Sequence, residues 1–213
     1  MELKEAILNR RTIRHYNDTP VTREEIRELI NAAIHAPSAC NLQQWRFVVI
    51  DDAVLLQKIQ KAGAATFLKD VKQAILVTYS NQTDNVEYMD YVESAAAAIE
   101  NMLLMATELK IGACWINNLP PKGRLRKILS IPKSIDPIAL VSIGHFDTDS
   151  KEIKRKRLAD EVISYNTFAF ENVENKNRFQ LTFRRLMRKI YKHLPFKEVL
   201  HRVAEKYEKR FDN

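Results

Sequence analysis

The chain has 213 residues, 46% of them hydrophobic, with 34 Lys and Arg against 27 Asp and Glu. That length fits one domain, or one domain with an appendage, and it can bury a substantial core. With four glycines and neither a GxGxxG nor a GxxxxGK[ST] run, the Rossmann fingerprint and the P-loop are excluded.

The N-terminus, Met1-Glu2-Leu3-Lys4-Glu5, lacks the apolar stretch of a signal peptide, and no apolar run reaches membrane-spanning length. A cytoplasmic protein is expected. Cys40 and Cys114 lie far apart and form no CxxC, so neither a disulfide framework nor a metal site is expected. The charge is uneven. Twelve Lys/Arg and four Asp/Glu fall between Lys176 and Asn213, so this segment is near +8 and the preceding residues are near −1.

Glu2 to Asn9 reads as a short helix with Leu3, Ala6 and Ile7 inward. It leads into Arg10-Arg11-Thr12-Ile13-Arg14, three arginines beside a hydroxyl. Such a set can fork charge-assisted hydrogen bonds to phosphate, and it can equally be a solvated basic turn. His15 has no acidic or nucleophilic neighbour in sequence and reads as a surface or packing residue. Thr22-Arg23-Glu24-Glu25 is a capping box, and Ile26, Leu29, Ile30, Ala33 and Ile34 follow at helical spacing toward Ala36-Pro37. Ser38, Asn41 and Gln43 then supply uncharged donors and acceptors between two buried elements. They suit a planar, neutral ligand with many acceptors, and they also suit a plain polar loop after a helix.

Trp45 to Ile50 reads as a strand. Asp51 and Asp52 cap a short helix through about Lys61, stopped by Gly63. Ala74 to Tyr79 is a second strand, Asn81 to Asn85 a polar loop, and Glu87 to Lys110 a long helix. Its Ala95-Ala96-Ala97-Ala98 run can pack closely on several neighbours, at a subunit interface or simply as a good helix former. Gly112 is read as the end of this helix, Ala113 to Ile116 as a short strand or turn, and Arg124 to Leu129 as a small helix. Pro132 and Pro137 break the chain before a strand at Ile138 to Ile143, Gly144 to Asp147 form a loop, and Lys154-Arg155-Lys156-Arg157 is a second basic cluster.

Taken together, Arg10-Arg11-Thr12-Ile13-Arg14 followed by Ala36-Pro37-Ser38-Ala39-Cys40-Asn41-Leu42-Gln43-Gln44-Trp45 resembles the nitroreductase family of FMN-dependent flavoproteins. The family pattern is RRSxR, then APSxxNxQPW and a strand. The alanine-rich helix with Gly112-Ala113-Cys114-Trp115-Ile116, and the basic run before Leu158-Ala159-Asp160-Glu161-Val162, are similar to its later landmarks. Thr12 departs from the usual serine but keeps the hydroxyl. Gln44 departs from the usual proline and leaves the backbone less fixed.

The resemblance covers about residues 1–168 and implies an α+β, three-layer fold: a central, mostly antiparallel sheet flanked by helices, in an intertwined homodimer with the flavin at the subunit interface. It implies that Arg10, Arg11, Thr12 and Arg14 hold the FMN phosphate and ribityl side. Pro37, Ser38, Asn41 and Gln43 would lie near the ring and ribityl chain, and Trp115, Asn117 and Asn118 beside the flavin. One or more of Arg155, Lys156 and Arg157 would give a second phosphate contact. Its activity would be a two-step exchange in which NADH or NADPH reduces the flavin and a nitroaromatic or quinone then takes the hydride. No catalytic side chain is named, because the cofactor carries the chemistry. No lid or extra motif argues for a specialised reaction such as dehalogenation or flavin breakdown.

Residues 169–213 lie outside the resemblance. Phe179, Phe183, Leu186, Met187, Ile190, Tyr191 and Leu194 are spaced for an amphipathic helix, Pro195 interrupts it, and a second stripe runs from Phe196 to Phe211, with cations on the other faces. Two readings stand beside one another: a helical extension packed on the dimer, and a basic anchor at an anionic membrane surface. Nucleic acid is a weaker third reading, since charge alone supplies no recognition module. The alternative to an oxidoreductase is therefore a flavin-binding protein whose tail engages a membrane or partner with little turnover.

Overall fold

A computed structural model describes residues 2–147, 155–170 and 177–193. These fall into two units, one holding the residues up to 147 and the other those from 155 to 193.

In the first unit, helices α1 (Leu3–Asn9) and α2 (Arg23–Ile34) precede strand β1 (Trp45–Ile50) and helix α3 (Ala53–Lys61). Strand β2 (Gln73–Ser80), helix α4 (Asp90–Glu108), strand β3 (Gly112–Ile116), helix α5 (Lys122–Leu129) and strand β4 (Ile135–Gly144) follow. The four strands form one sheet in the order β1-β2-β4-β3, and every pairing is antiparallel.

The sheet is covered on both faces, so β2 is apolar without alternation. Ile75 and Val77 pack with Leu29 and Ala33 of α2 and Ile99 and Met102 of α4. Ala74 and Leu76 point the other way, onto Leu56 and Ile59 of α3 and Leu125 of α5. The result is three layers, helix–sheet–helix. The start of α2 is fixed as its sequence predicts: Glu25 N donates to Thr22 Oγ1 at 3.2 Å, and Thr22 N donates back to the Glu25 carboxylate at 2.7 Å.

Several sequence expectations are corrected. Ala6 is the buried residue of α1, whereas Leu3 and Ile7 are exposed. One small side chain suffices where α1 meets α4, and the larger ones face outward. The long helix starts at Asp90 rather than Glu87, after Met89 in a left-handed conformation. It ends at Glu108, with Lys110 at φ 56°, so Gly112 does not terminate it. Gly112 belongs to β3, where a Cβ would lie 2.8 Å from Ile13 Cγ2 and 2.9 Å from Phe146. Pro137 does not break the chain ahead of β4 but lies inside it. It sits beside the register slip between Val77 and Thr78, where a residue without an N–H is tolerated.

The second unit contains helix α6 (Arg178–His193). Leu194, Pro195 and the stripe from Phe196 to Phe211 lie outside the described residues, as does Lys154.

Candidate functional site

The segment from Arg10 to Asn17 forms an arm along the free edge of β3. Ile13 N donates to the Ala113 carbonyl at 3.0 Å, and Asn17 N donates to the His145 carbonyl at 2.7 Å. The arm lies this close because Gly112 and Gly144 face one another in register with no side chains. A Cβ on Gly144 would sit 2.6 Å from the Tyr16 ring. Tyr16 donates to its own segment at the Ile13 carbonyl, 2.7 Å away, and its hydroxyl lies 2.8 Å from Ser142 Oγ. Burial pushes its phenol well above the ordinary range, so it stays neutral and acts as a bolt rather than as an acid.

The three arginines of the arm are held differently. Arg10 Nε lies 3.5 Å from Glu100 Oε1 on α4. Arg11 Nη1 donates to the Leu8 and Arg10 carbonyls at 2.6 and 3.0 Å, leaving its Nε buried without a hydrogen-bond partner. The Arg14 guanidinium lies over the Phe67 ring, 5.9 Å from its centroid. Thr12 is exposed, and so is His15, as its sequence context suggests.

Arg14 opens onto a cavity of about 150 Å³ that it shares with Phe67, Cys114, Trp115, Asn117 and Asn118. Trp115 Nε1 donates to Asn117 Oδ1 at 3.0 Å, which orients that amide, and the Asn118 carbonyl accepts from Ala65 N at 3.0 Å. Ser38, Asn41 and Gln43 do not line this cavity. They belong to the loop that leads into β1, at the opposite edge of the sheet from the arm. Three interstrand spacings, about 14 Å, separate the two edge strands.

That loop is strained and self-bonded. Cys40, Asn41 and Gln43 adopt φ of 49°, 53° and 50°, the left-handed region that side chains other than glycine seldom occupy. Gln43 N donates to Ser38 Oγ at 3.1 Å, and Gln43 Nε2 donates to Asn41 Oδ1 at 2.7 Å. Ala39 N donates to Ser94 Oγ on α4 at 3.0 Å, which ties the loop to the first turns of that helix. Pro37, Asn41 and Gln43 are exposed and Ser38 is half-buried.

The same turns of α4 reach a polar cluster. Asp136, only 5% exposed, accepts from Lys122, Arg126, Asn81 at 2.9 Å and Tyr91 at 3.4 Å. Burial alone would raise its carboxyl, but the hydrogen bonds from Lys122 and Asn81 and the two cations hold it below the ordinary range. Ser94, Phe67, the Gly112–Gly144 pair and Asp136 are site supports that sequence reasoning did not find. The one local signal for Ser94 is a lone hydroxyl on an otherwise apolar helix face. The signal for the glycines is that half of the chain's four stand at facing strand ends.

Arg155, Lys156 and Arg157 lie in the second unit, where all three are exposed. Among the described residues no group of three or more His, Cys, Asp or Glu could hold a metal ion.

This arrangement has close relatives. The model described as the nitroreductase family matches residues 7–83 and 56–145, so the chain belongs to that family. A relative from Archaeoglobus fulgidus, provisionally named an NADH dehydrogenase/NAD(P)H nitroreductase, is 36% identical over 148 residues, covering 68% of this chain and 85% of its own. Among solved structures, an FMN-dependent nitroreductase from Clostridium difficile is 28% identical with a TM-score of 0.68, covering 78% of this chain and 99% of its own. A complex with FMN of a protein from Desulfovibrio desulfuricans, provisionally named a nitroreductase, is 29% identical with a TM-score of 0.64, covering 78% of this chain and 97% of its own.

The donor set fits FMN. The arm offers guanidinium groups to a phosphate, including the buried Arg11 Nε that lacks a partner. The cavity beside it combines aromatic and apolar walls with amides that can both donate and accept, the chemistry a flavin ring presents in return.

Proposed function

We propose that the chain is an FMN-dependent NAD(P)H oxidoreductase that passes a hydride to a nitroaromatic or quinone acceptor, with donor and acceptor using the site in turn. The observation that carries this reading is the convergence of Arg14, Trp115, Asn117 and Asn118 on one cavity beside a rigidly held basic arm. FMN, when bound, supplies the hydride chemistry. The chain's own residues bind and orient. Arg10, Arg11 and Arg14, with the Thr12 hydroxyl, hold the phosphate end. Asn117, fixed by the Trp115 indole, and Asn118, fixed through its carbonyl, present amide groups to the ring. Arg155, Lys156 or Arg157 adds a second phosphate contact.

The site is completed by a second copy. In one chain the arm lies at the β3 edge and the Pro37–Gln43 loop at the β1 edge, too far apart to close on a single ring system. A homodimer in which the loop of one copy meets the arm of the other brings both sets to one flavin. The exposed apolar residues Leu3, Ile7 and Leu8 of α1 and Ile34 of α2 support such an interface, since they would otherwise stay in water. The domain boundary adopted with this reading places the flavoprotein in residues 1–168 and a basic helical extension in residues 169–213.

The test is the visible absorption spectrum of the purified protein, identification of any released chromophore, and NADH and NADPH oxidation with menadione and with nitrofurazone. Flavin bands, FMN in the supernatant and acceptor-dependent turnover are expected. A colourless protein that takes up no added FMN overturns the reading. Bound FMN without turnover points instead to a flavin-binding protein.

A further inference from the structure

The helix α6, in the second unit, has a surface that the flavin chemistry does not use. Four of its apolar side chains, Phe179, Phe183, Leu186 and Met187, are 77%, 54%, 53% and 47% exposed. They recur at intervals of four, three and one, so they share one face of the helix. The same sixteen residues contain Arg178, Arg184, Arg185, Arg188, Lys189 and Lys192 and no Asp or Glu. The helical repeat puts the exposed Arg178, Arg184 and Arg185 off the apolar stripe, on a side they share with the half-buried Leu181. Leaving such a stripe in water is costly, and an exposed patch of this kind marks an interaction surface.

We propose that α6 docks in the plane of an anionic lipid bilayer, with its aromatic and aliphatic face among the upper acyl chains and its cations among the headgroup phosphates. Both faces are then used at once. A nucleic acid would neutralise the cations but leave the apolar stripe exposed. A second copy of the helix would cover the stripe but supply no anions. Sixteen residues rise about 24 Å, long enough to lie in an interface. Among the described residues no helix is long and apolar enough to cross a membrane. Membrane docking would hold the oxidoreductase where lipid-soluble acceptors concentrate. The proposal itself is independent of the flavin site.

The test is co-sedimentation of the full-length protein with vesicles of phosphatidylcholine containing about one-third phosphatidylglycerol, against vesicles of phosphatidylcholine alone. Binding to the anionic vesicles only is expected. Replacing Arg184 and Arg185 by Gln lowers partitioning on the order of 30-fold at low salt, since each cation near such a surface contributes about fivefold. Phe183→Ser with Leu186→Ser lowers it at least tenfold at any salt concentration. Flavin content and turnover, read on the same samples, stay unchanged in all variants and show that the protein remains folded. The proposal is overturned by absence of binding to the anionic vesicles. It is also overturned by binding that the Phe183→Ser, Leu186→Ser chain retains in full, or by tighter binding to duplex DNA with the same indifference to that change.

Discussion

The arm at the β3 edge and the loop at the β1 edge are both polar segments held in fixed shapes, by opposite means. The arm borrows the rigidity of the core. Two facing glycines leave room for it, backbone bonds zip it to the strand, and Tyr16 fills the gap. The loop makes its own rigidity from three left-handed residues and side-chain hydrogen bonds, braced by Ser94 and, through the first turns of α4, by the Asp136 cluster. The residues that fix the arm by packing, Gly112, Gly144 and Tyr16, cannot be altered without cost to the fold. A segment fixed by polar bonds can lose its shape while the core survives.

The largest expected effect is at the loop's end of the sheet. Asp136→Ala strands Lys122 and Arg126 beside a buried gap and lowers stability by about 3 kcal/mol, measured by urea unfolding. The pH dependence separates charge from packing. Because the folded carboxyl titrates below its unfolded value, its contribution is fully present above about pH 4 and is lost as pH falls through the folded value. Asp136→Asn therefore flattens the acid limb of the stability profile. An acid limb like that of the unaltered protein would show that the cluster does not brace this end of the molecule.

Next is Gly144→Val, which drives a side chain into Tyr16. It is expected to cost about 2 kcal/mol of stability and to weaken FMN binding at the same time, because the arm is displaced as a unit. Loss of stability with unchanged FMN affinity would break the link between packing and site.

Arg14→Ala sharpens the distinction from the other side. It removes a charge-assisted donor but little packing, so FMN affinity falls roughly 10- to 100-fold while the melting temperature of the flavin-free protein stays nearly constant. Equal losses in Arg14→Ala and in Arg185→Ala, on α6, would mean that only overall charge matters.

The smallest effect belongs to the loop's backbone. Cys40→Gly relieves a left-handed cysteine and is expected to raise stability by roughly 0.5 kcal/mol, read from thermal unfolding. A loss of about 1 kcal/mol would show that the thiol packs usefully despite its exposure.

How much of this was legible follows from the range of each signal. Local rules worked where the cause is local. The Thr22–Glu25 capping box, the Asp52 cap of α3 and the Gly63 stop all formed as the sequence indicates, because each depends on residues a few positions apart. The continuous apolar run of β2 likewise shows that both faces are covered. Gly112 was misread because a glycine after a helix resembles a stop, whereas its real partners are Ile13 and Phe146, far off in sequence. Pro137 was misread because a proline tolerated at a bulge looks like one that breaks a strand. At the site, the arginine cluster and the amide loop stand out as short motifs. Their positions at opposite sheet edges follow from strand order, which no short motif encodes.

The most direct measurement of the central claim is flavin content in a mixed dimer of Arg14→Ala and Asn41→Ala chains, isolated with two different affinity tags. Each altered homodimer has a damaged arm or loop at both sites. In the mixed dimer one site receives both changes and the other neither. The account predicts one tightly held FMN per mixed dimer, with NADH-dependent menadione reduction restored, against weak binding in either homodimer. Mixed dimers as depleted and inactive as the homodimers would contradict it, since arm and loop would then act within one chain or not on the same flavin.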